Sequence, residues 1–458
     1  MPPVETLAQP VVKTTRATVC GWGGGAGAPV ELTRPDELDH VRSALEPARS
    51  GSGAIARGMG RSYGDAAQLA GGVVIETTAL KQFELDESRG VVTALAGVTL
   101  RELLSALVPR GWMVPVVPGT QHVTVGGAIA ADIHGKNHGV SGTFGAHVEA
   151  LGLLTSAGEV LELTPESDAC QATLGGMGLT GVILWARVRM HAVSSPFLSV
   201  DTDRVDGLDD ALAALRAPGG PHRVAWLDLL GSRPGRGVVT RAEHLERTDP
   251  VSHRSGAATV AARATVPARW PGGALRASTI QAFNELWFRR APVRERGHIE
   301  SIGAHLFPLD VLADWTRLYG RRGFVQYQLV VPFGEERVVQ LVIERLGWAR
   351  VPCILAVLKD FGPANGAPLS FPIEGWTLTL DLPRAASGLE ALLDSFDQLV
   401  AGAGGRVYLA KDARMRPETL AAMYPRLGEW REVREGLDPA RLWRSDLALR
   451  TGLLGGPP

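Results

Sequence analysis

Cysteine is nearly absent from this chain of 458 residues: Cys20, Cys170 and Cys353 lie far apart and are odd in number. That excludes a disulfide framework and a CxxC metal site, and makes a reducing compartment the default. Charge imbalance is missing too. With 47 basic and 48 acidic residues the formal net charge is −1, so there is no global field for nucleic acid. No long apolar helix is present. The longest stretch without a formal charge, 111–131, holds Pro115, Pro118, four glycines and His122, and reads as turn and strand rather than a membrane span. Residues 1–15 lack the charged and apolar regions of a secretory leader, so a frayed tail is expected there. Lysine is scarce: Lys13, Lys81, Lys136, Lys359 and Lys411 are the only ones, and every other basic residue is arginine. Each lysine is therefore a position to examine.

What the chain does have is glycine and proline, 55 and 30 residues, beside 45% apolar residues. The mix suits a loop-rich globular protein, and the length allows roughly two to four domains. The first 190 residues alternate β-branched runs (54–56, 72–76, 90–96, 114–117, 182–190) with glycine turns. Helical periodicity appears at 35–45 and at 99–108, where Thr99 and Glu102 form a capping box. The fold class is α+β. Beyond residue 195 come a helix at 208–216, strands at 224–230, 323–331, 353–358 and 376–382, and helices at 335–346 and 389–401. Between them, 247–294 has little periodicity and carries eight arginines against Asp249 and Glu285. A structureless segment of that length predicts a mobile basic lid.

Three glycine-bearing motifs carry chemistry. Residues 176–181, Gly-Met-Gly-Leu-Thr-Gly, match the string of dinucleotide-binding folds, but a β-branched, strand-like run follows where that fingerprint needs a helix. Residues 57–65, Arg-Gly-Met-Gly-Arg-Ser-Tyr-Gly-Asp, follow a strand and can curl backbone amides into an anion nest, although the same residues suit a tight surface turn. Residues 118–139 are dominated by small side chains and end in His134-Gly135-Lys136-Asn137-His138. Backbone of that kind suits packing directly on a flat cofactor. His134 and His138 have i, i+4 spacing, but no Glu follows His134 and Gly135 opposes a helix, so no metal site is expected. Gln326 and Gln328 alternate along one strand and face one side together, with Tyr327 on the other.

In order along the chain, these two glycine loops, FNELWF at 283–288, GFVQYQLVVP at 323–332, the block 359–376 and YLAKDAR at 408–414 resemble FAD-linked oxidoreductases of the vanillyl-alcohol-oxidase type. Within that type they are most similar to the decaprenylphosphoryl-β-D-ribose 2′-oxidase family, flavin subunits of an epimerase serving cell-wall arabinan. The resemblance implies a discontinuous FAD-binding domain, 15–194 plus 405–458, around a substrate domain, 195–404, built on an antiparallel sheet. It implies that Ala56, Arg57, Gly58, Gly60, Arg61, Ser62, Gly64 and Asp65, with Gly119, Thr124, Val125, Gly126 and Gly127, wrap the pyrophosphate and ribityl chain. Ala131, Asp132, Ile133 and His134 would border the flavin ring, Ile183 the adenine end and Tyr408 the flavin again.

Oxidising a secondary alcohol needs a hydride acceptor, a route for the proton and a cation for the charge arriving on the flavin. By resemblance Lys411 supplies that cation or binds the sugar hydroxyl, while Tyr63 and His134 serve the proton path or fix the flavin. Gln326 and Gln328 would meet sugar hydroxyls, Lys136 and Lys359 the substrate phosphate, and Phe361 and Trp226 would line the pocket. Arg61 stands where many relatives attach FAD through a histidine, so FAD is expected to be non-covalent. Thr379 replaces a pocket cysteine of the family and Thr377 an asparagine. Thiol-directed suicide inhibitors of that family should therefore find no target, and the sugar itself stays open.

The resemblance implies a polyprenylphosphoryl-ribose substrate, an NADH-dependent short-chain reductase partner and a quinone acceptor; the location is expected to be cytoplasmic or membrane-peripheral, and the basic segment 247–294 suits contact with anionic headgroups or the substrate phosphate. Two other readings remain open at this point: a flavin dehydrogenase of a soluble sugar, lactone or glycoside, and a non-enzymatic flavin or sugar-lipid scaffold.

Overall fold

The computed structural model describes residues 13–231, 233–246, 258–270 and 275–455. Its N-terminal part holds a four-stranded sheet that includes the parallel strands Ala28–Thr33, Val73–Glu76 and Ala54–Arg57. A five-stranded antiparallel sheet with Val148–Leu154 and Val182–Arg189 at its centre follows. The helix Leu100–Leu107 starts at the capping box of Thr99 and Glu102 and buries Leu100, Leu103, Leu104 and Leu107, the i, i+3, i+4, i+7 stripe the sequence shows.

The middle of the chain forms an eight-stranded sheet. Its inner strands Phe324–Pro332 and Gly375–Pro383 pair antiparallel and are buried almost throughout, yet they alternate in chemistry. One face presents Tyr327, Leu329, Leu378, Leu380 and Leu382 to the helices Glu336–Trp348 and Leu389–Gly402. Tyr327 donates to Asp397 of the second helix at 2.9 Å. The period of two sends Gln326, Gln328, Thr377, Thr379 and Asp381 to the opposite face. A buried sheet with one polar face has to satisfy those groups against a ligand or each other.

The C-terminal part closes the molecule twice. Arg406–Val407 pairs with Val330 and Leu329 as an edge of the large sheet. Trp443 then bridges to Ala54, and Arg450 pairs with Asp65, 385 residues away, at 2.7 Å.

Two expectations need correction. The supposedly structureless segment 247–294 contains the helix Ala277–Arg290 and leads into the strand Arg294–Ser301. Only Ile280, Asn284 and Phe288 of that helix are buried, a stripe too narrow, and in part polar, to give a readable amphipathic pattern. Residues 247–257 and 271–274 of the expected lid lie outside the described residues. The run 114–117 forms no strand: pairing stops at Trp112–Met113, and Pro115 and Pro118 contribute no ladder donors. The segment 176–181 is irregular and is followed by the strand Val182–Arg189, in agreement with its rejection as a dinucleotide fingerprint.

Candidate active site

A cavity of about 940 Å³ runs between the glycine loops and the polar face of the large sheet. Its volume lies near the top of the roughly 300–1,000 Å³ range of ligand sites. One end is backbone. Gly58, Gly60, Gly119, Gly126 and Gly127 line it, with Ala56, Arg61, Ser62, Thr124, Ala131, Ile133, Ile183 and Tyr408. Thr124 caps the helix Val125–Ala130 by accepting from the Gly127 amide. A Cβ on Gly119 would meet nothing within 4 Å, so this glycine faces open space. The Arg61 Nε is buried without a hydrogen-bond partner among the described residues, and its guanidinium lies 4.8 Å over Trp22. A glycine-walled trough with a cation short of one hydrogen bond fits a flat dinucleotide carrying a pyrophosphate.

The other end is lined by Tyr63, Gln326, Lys359, Thr379, Asp381 and Lys411, with Lys136, His134 and Trp226. Three of the five lysines therefore share one cavity. Three contacts position Lys411. Its own backbone amide donates to the Tyr408 carbonyl at 2.9 Å, and that of Tyr63 donates to the Ala410 carbonyl at 2.8 Å. A Cβ on Gly64 would fall 1.8 Å from the Asp412 carbonyl oxygen, so only glycine lets the loop press against this segment. The Tyr408 hydroxyl in turn donates to the Ala131 carbonyl at 2.7 Å.

Burial governs the electrostatics here. It lowers Lys359 to about 7, helped by Lys411 and Lys136, and lowers Lys136 to about 8 against the pull of Glu300. Burial also pushes Lys411 down, with Asp381 opposing it, and pushes Asp381 up, with Gln326 and then Lys411 drawing it back. These two titrate as one unit. The Gln326 amide donates to Asp381 Oδ1 at 2.5 Å, whereas Oδ2 and the Tyr319 hydroxyl are buried without a hydrogen bond among the described residues. Tyr63 is held protonated, by burial first and Asp381 second.

His134 is held by a chain of hydrogen bonds. Thr377 Oγ1 donates to the Leu329 carbonyl at 2.8 Å, so it accepts from Gln328 Nε2 at 2.9 Å. Gln328 Nε2 uses its second hydrogen on His134 Nε2 at 3.0 Å. The other ring nitrogen, Nδ1, lies 3.2 Å from Lys359 Nζ, so the imidazole is tied to Gln328 on one side and to the lysine on the other. Burial, then Lys359 and Lys411, keep the imidazole uncharged.

Several sequence-expected residues stand behind the cavity wall. Gln328, Thr377 and Phe361 hold His134 rather than face the open volume, with the Phe361 ring 4.7 Å from the imidazole. Arg57 turns to the carbonyls of Ala67 and Cys20, and Asp65 to Arg450. Val125 is core. Asp132, at φ 40°, accepts from Ser370, Asn365 and the Gly145 amide and pins the first part of the chain to the large sheet's loops. Gly64 packs against Asp412. Sequence reasoning missed Asp381, although it sits two residues beyond Thr379 on the same strand and so faces the same side. It also missed Tyr319 and Glu300, which no spacing reveals.

Residues 29–164 match the family model described as FAD binding domain, and residues 383–451 match that of D-arabinono-1,4-lactone oxidase. Decaprenylphosphoryl-β-D-ribose oxidase of Mycolicibacterium smegmatis is 39% identical over 457 residues, covering 96% of this chain and 98% of that one. L-Gulonolactone oxidase of Mus musculus is 29% identical over 201 residues, 42% of this chain and 45% of its own. Among solved structures, BBE-like 1 of Physcomitrella patens superposes with a TM-score of 0.67 at 14% identity, covering 91% and 90% of the two chains, which is a likeness of fold alone.

Proposed function

The chain belongs to the family of FAD-linked oxidoreductases that contains decaprenylphosphoryl-β-D-ribose oxidase, and on that premise we propose that it oxidises the 2′-hydroxyl of a polyprenylphosphoryl-β-D-ribose. The product is the 2′-keto sugar, the first half of an epimerisation towards the arabinose donor of cell-wall arabinan. The observation that carries this is the meeting of Lys411, Asp381, Gln326 and Tyr63 on one open volume beside the glycine trough, with Lys359 and Lys136 lining the same cavity.

FAD, held by Gly58 to Ser62, Gly119 and Thr124 to Gly127, supplies the hydride acceptor when bound. The protein does the rest. Gln326 fixes Asp381, whose carboxylate accepts the hydrogen bond of the substrate hydroxyl and then its proton. Lys411 stays beside it as the cation that offsets negative charge developing in a closed, low-dielectric site. Lys359, lowered to about 7, is only part-protonated near neutral pH and takes up a proton when a phosphate arrives, whereas Lys136, at about 8, already meets the anion largely charged. Trp226 and Thr379 shape the sugar pocket.

FAD is held non-covalently, because Arg61 offers no nucleophile for a flavin bond. Acid precipitation should leave the yellow colour in the supernatant. The FAD-binding part is 15–194 plus 405–458 and the substrate part 195–404. An NADH-dependent short-chain reductase completes the epimerisation, a membrane quinone takes the electrons, and the enzyme works at the membrane surface. Anaerobic mixing with farnesylphosphoryl-ribose should bleach the flavin absorbance. Bleaching by a soluble lactone or sugar but not by this compound would replace the proposal with an oxidase of soluble sugars.

A further inference from the structure

The helix Ala277–Arg290 lies at the mouth of the cavity, and its solvent face is unusual. Phe283 and Trp287 line the cavity yet remain about half exposed, and their rings stack at 6.3 Å. One turn along, Leu286 is 68% exposed, and beyond the helix Val293 is 66% exposed. An apolar ridge of this kind on a surface helix marks a contact site. Its flank is basic. Arg290 and Arg294 are exposed and carry no ion pair among the described residues, while Glu285, the acidic residue of the helix, is taken up by Arg236 and Arg289.

We propose that this ridge is a membrane-docking surface: Phe283, Leu286, Trp287 and Val293 sink into the interface of an anionic bilayer and Arg290 and Arg294 meet its phosphate headgroups. Charge complementarity selects the occupant, since aromatic and aliphatic side chains bordered by unpaired arginines match a lipid surface of negative charge. Continuity with the cavity supports it. Phe283 and Trp287 belong both to the exposed ridge and to the wall, and behind them Leu275, Leu309, Leu312 and Leu318 continue the apolar lining inward. A polyprenyl chain can pass from the bilayer along these residues without crossing water, with its phosphoryl sugar leading. The proposal rests on the polyprenylphosphoryl-ribose function above and adds the surface by which such a substrate is reached.

Flotation of the FAD-loaded protein with phosphatidylcholine vesicles, with and without about a third phosphatidylglycerol, tests it. The wild type should bind the anionic vesicles more tightly than the neutral ones. Leu286→Asp combined with Val293→Asp should weaken that binding at least about tenfold. Arg290→Glu and Arg294→Glu should each weaken it about fivefold and leave neutral vesicles unaffected. None of these residues lines the cavity, so all variants should bleach with farnesylphosphoryl-ribose at the wild-type rate. Unchanged vesicle binding in the variants, or equal wild-type binding to neutral vesicles, overturns the docking surface. Flotation needs no substrate, so a wild type that fails to bleach refutes the substrate assignment separately.

Discussion

Replacing Lys359 by Met should stabilise the protein at neutral pH while impairing its reaction. The lysine is buried, and burial lowers its affinity for a proton from an ordinary value of 10.5 to about 7. In the unfolded chain it is protonated at pH 7, so folding strips or strands that proton. At about 1.36 kcal/mol per tenfold in proton affinity, the penalty is roughly 4–5 kcal/mol. Met fills much the same volume without the amine. It forfeits the contact of Nζ with His134 Nδ1, about 1 kcal/mol, which leaves a net gain of about 3–4 kcal/mol. The sign fixes the pH window. The unfolded state binds more protons than the folded one between about 7 and 10.5, so the wild type gains stability as pH rises through that interval. The advantage of Lys359→Met is therefore full below pH 7 and fades towards 10.5. Chemical unfolding of the FAD-loaded proteins at pH 7 and at an alkaline pH measures it, and KM for the phosphoryl sugar should rise in the variant. A variant less stable than the wild type at pH 7, or a difference independent of pH, refutes the reasoning.

Asp381→Asn keeps shape and removes the proton acceptor, so kcat should fall about 10²–10⁴-fold with flavin content unchanged; stopped-flow flavin reduction reads it, and a wild-type rate would reassign the proton to another group. Gly64→Ala drives a Cβ into the Asp412 carbonyl and should cost about 1–3 kcal/mol, with slower flavin reduction because Lys411 is displaced. Retained kinetics would mean that the segment is not held by this contact. Thiol labelling should modify one residue of the native protein, exposed Cys20, because Cys170 and Cys353 are buried and burial raises both thiols. Three should react after unfolding, and a second rapidly labelled native thiol would contradict the packing.

Much of the site was legible because chemistry and period coincide there. The alternation of Gln326 and Gln328 placed a polar strand face, and the rarity of lysine drew attention to Lys136, Lys359 and Lys411, which the fold gathers into one cavity. What failed did so for physical reasons. Gln328 and Thr377 point the way the strand period requires, but a third group, His134, lies between them and the open volume. Glu300 reaches the cavity through tertiary packing that no local pattern encodes. The helix Ala277–Arg290 escaped notice because its buried stripe is only Ile280, Asn284 and Phe288 while Phe283, Leu286 and Trp287 stand exposed, which blurs the amphipathic signal. The same property that hid it is what marks it as a contact surface.

The Asp65–Arg450 pair and the Trp443 bridge to Ala54 bear on biosynthesis. A chain emerging from the ribosome folds from its N-terminus, so the glycine trough is made long before the segment that brings Lys411 and closes the first sheet. A chain that stops short of residue 405 lacks the partners of Tyr63, Asp65 and Ala54, so the loop 57–65 and the edge of the first sheet lose the contacts that hold them.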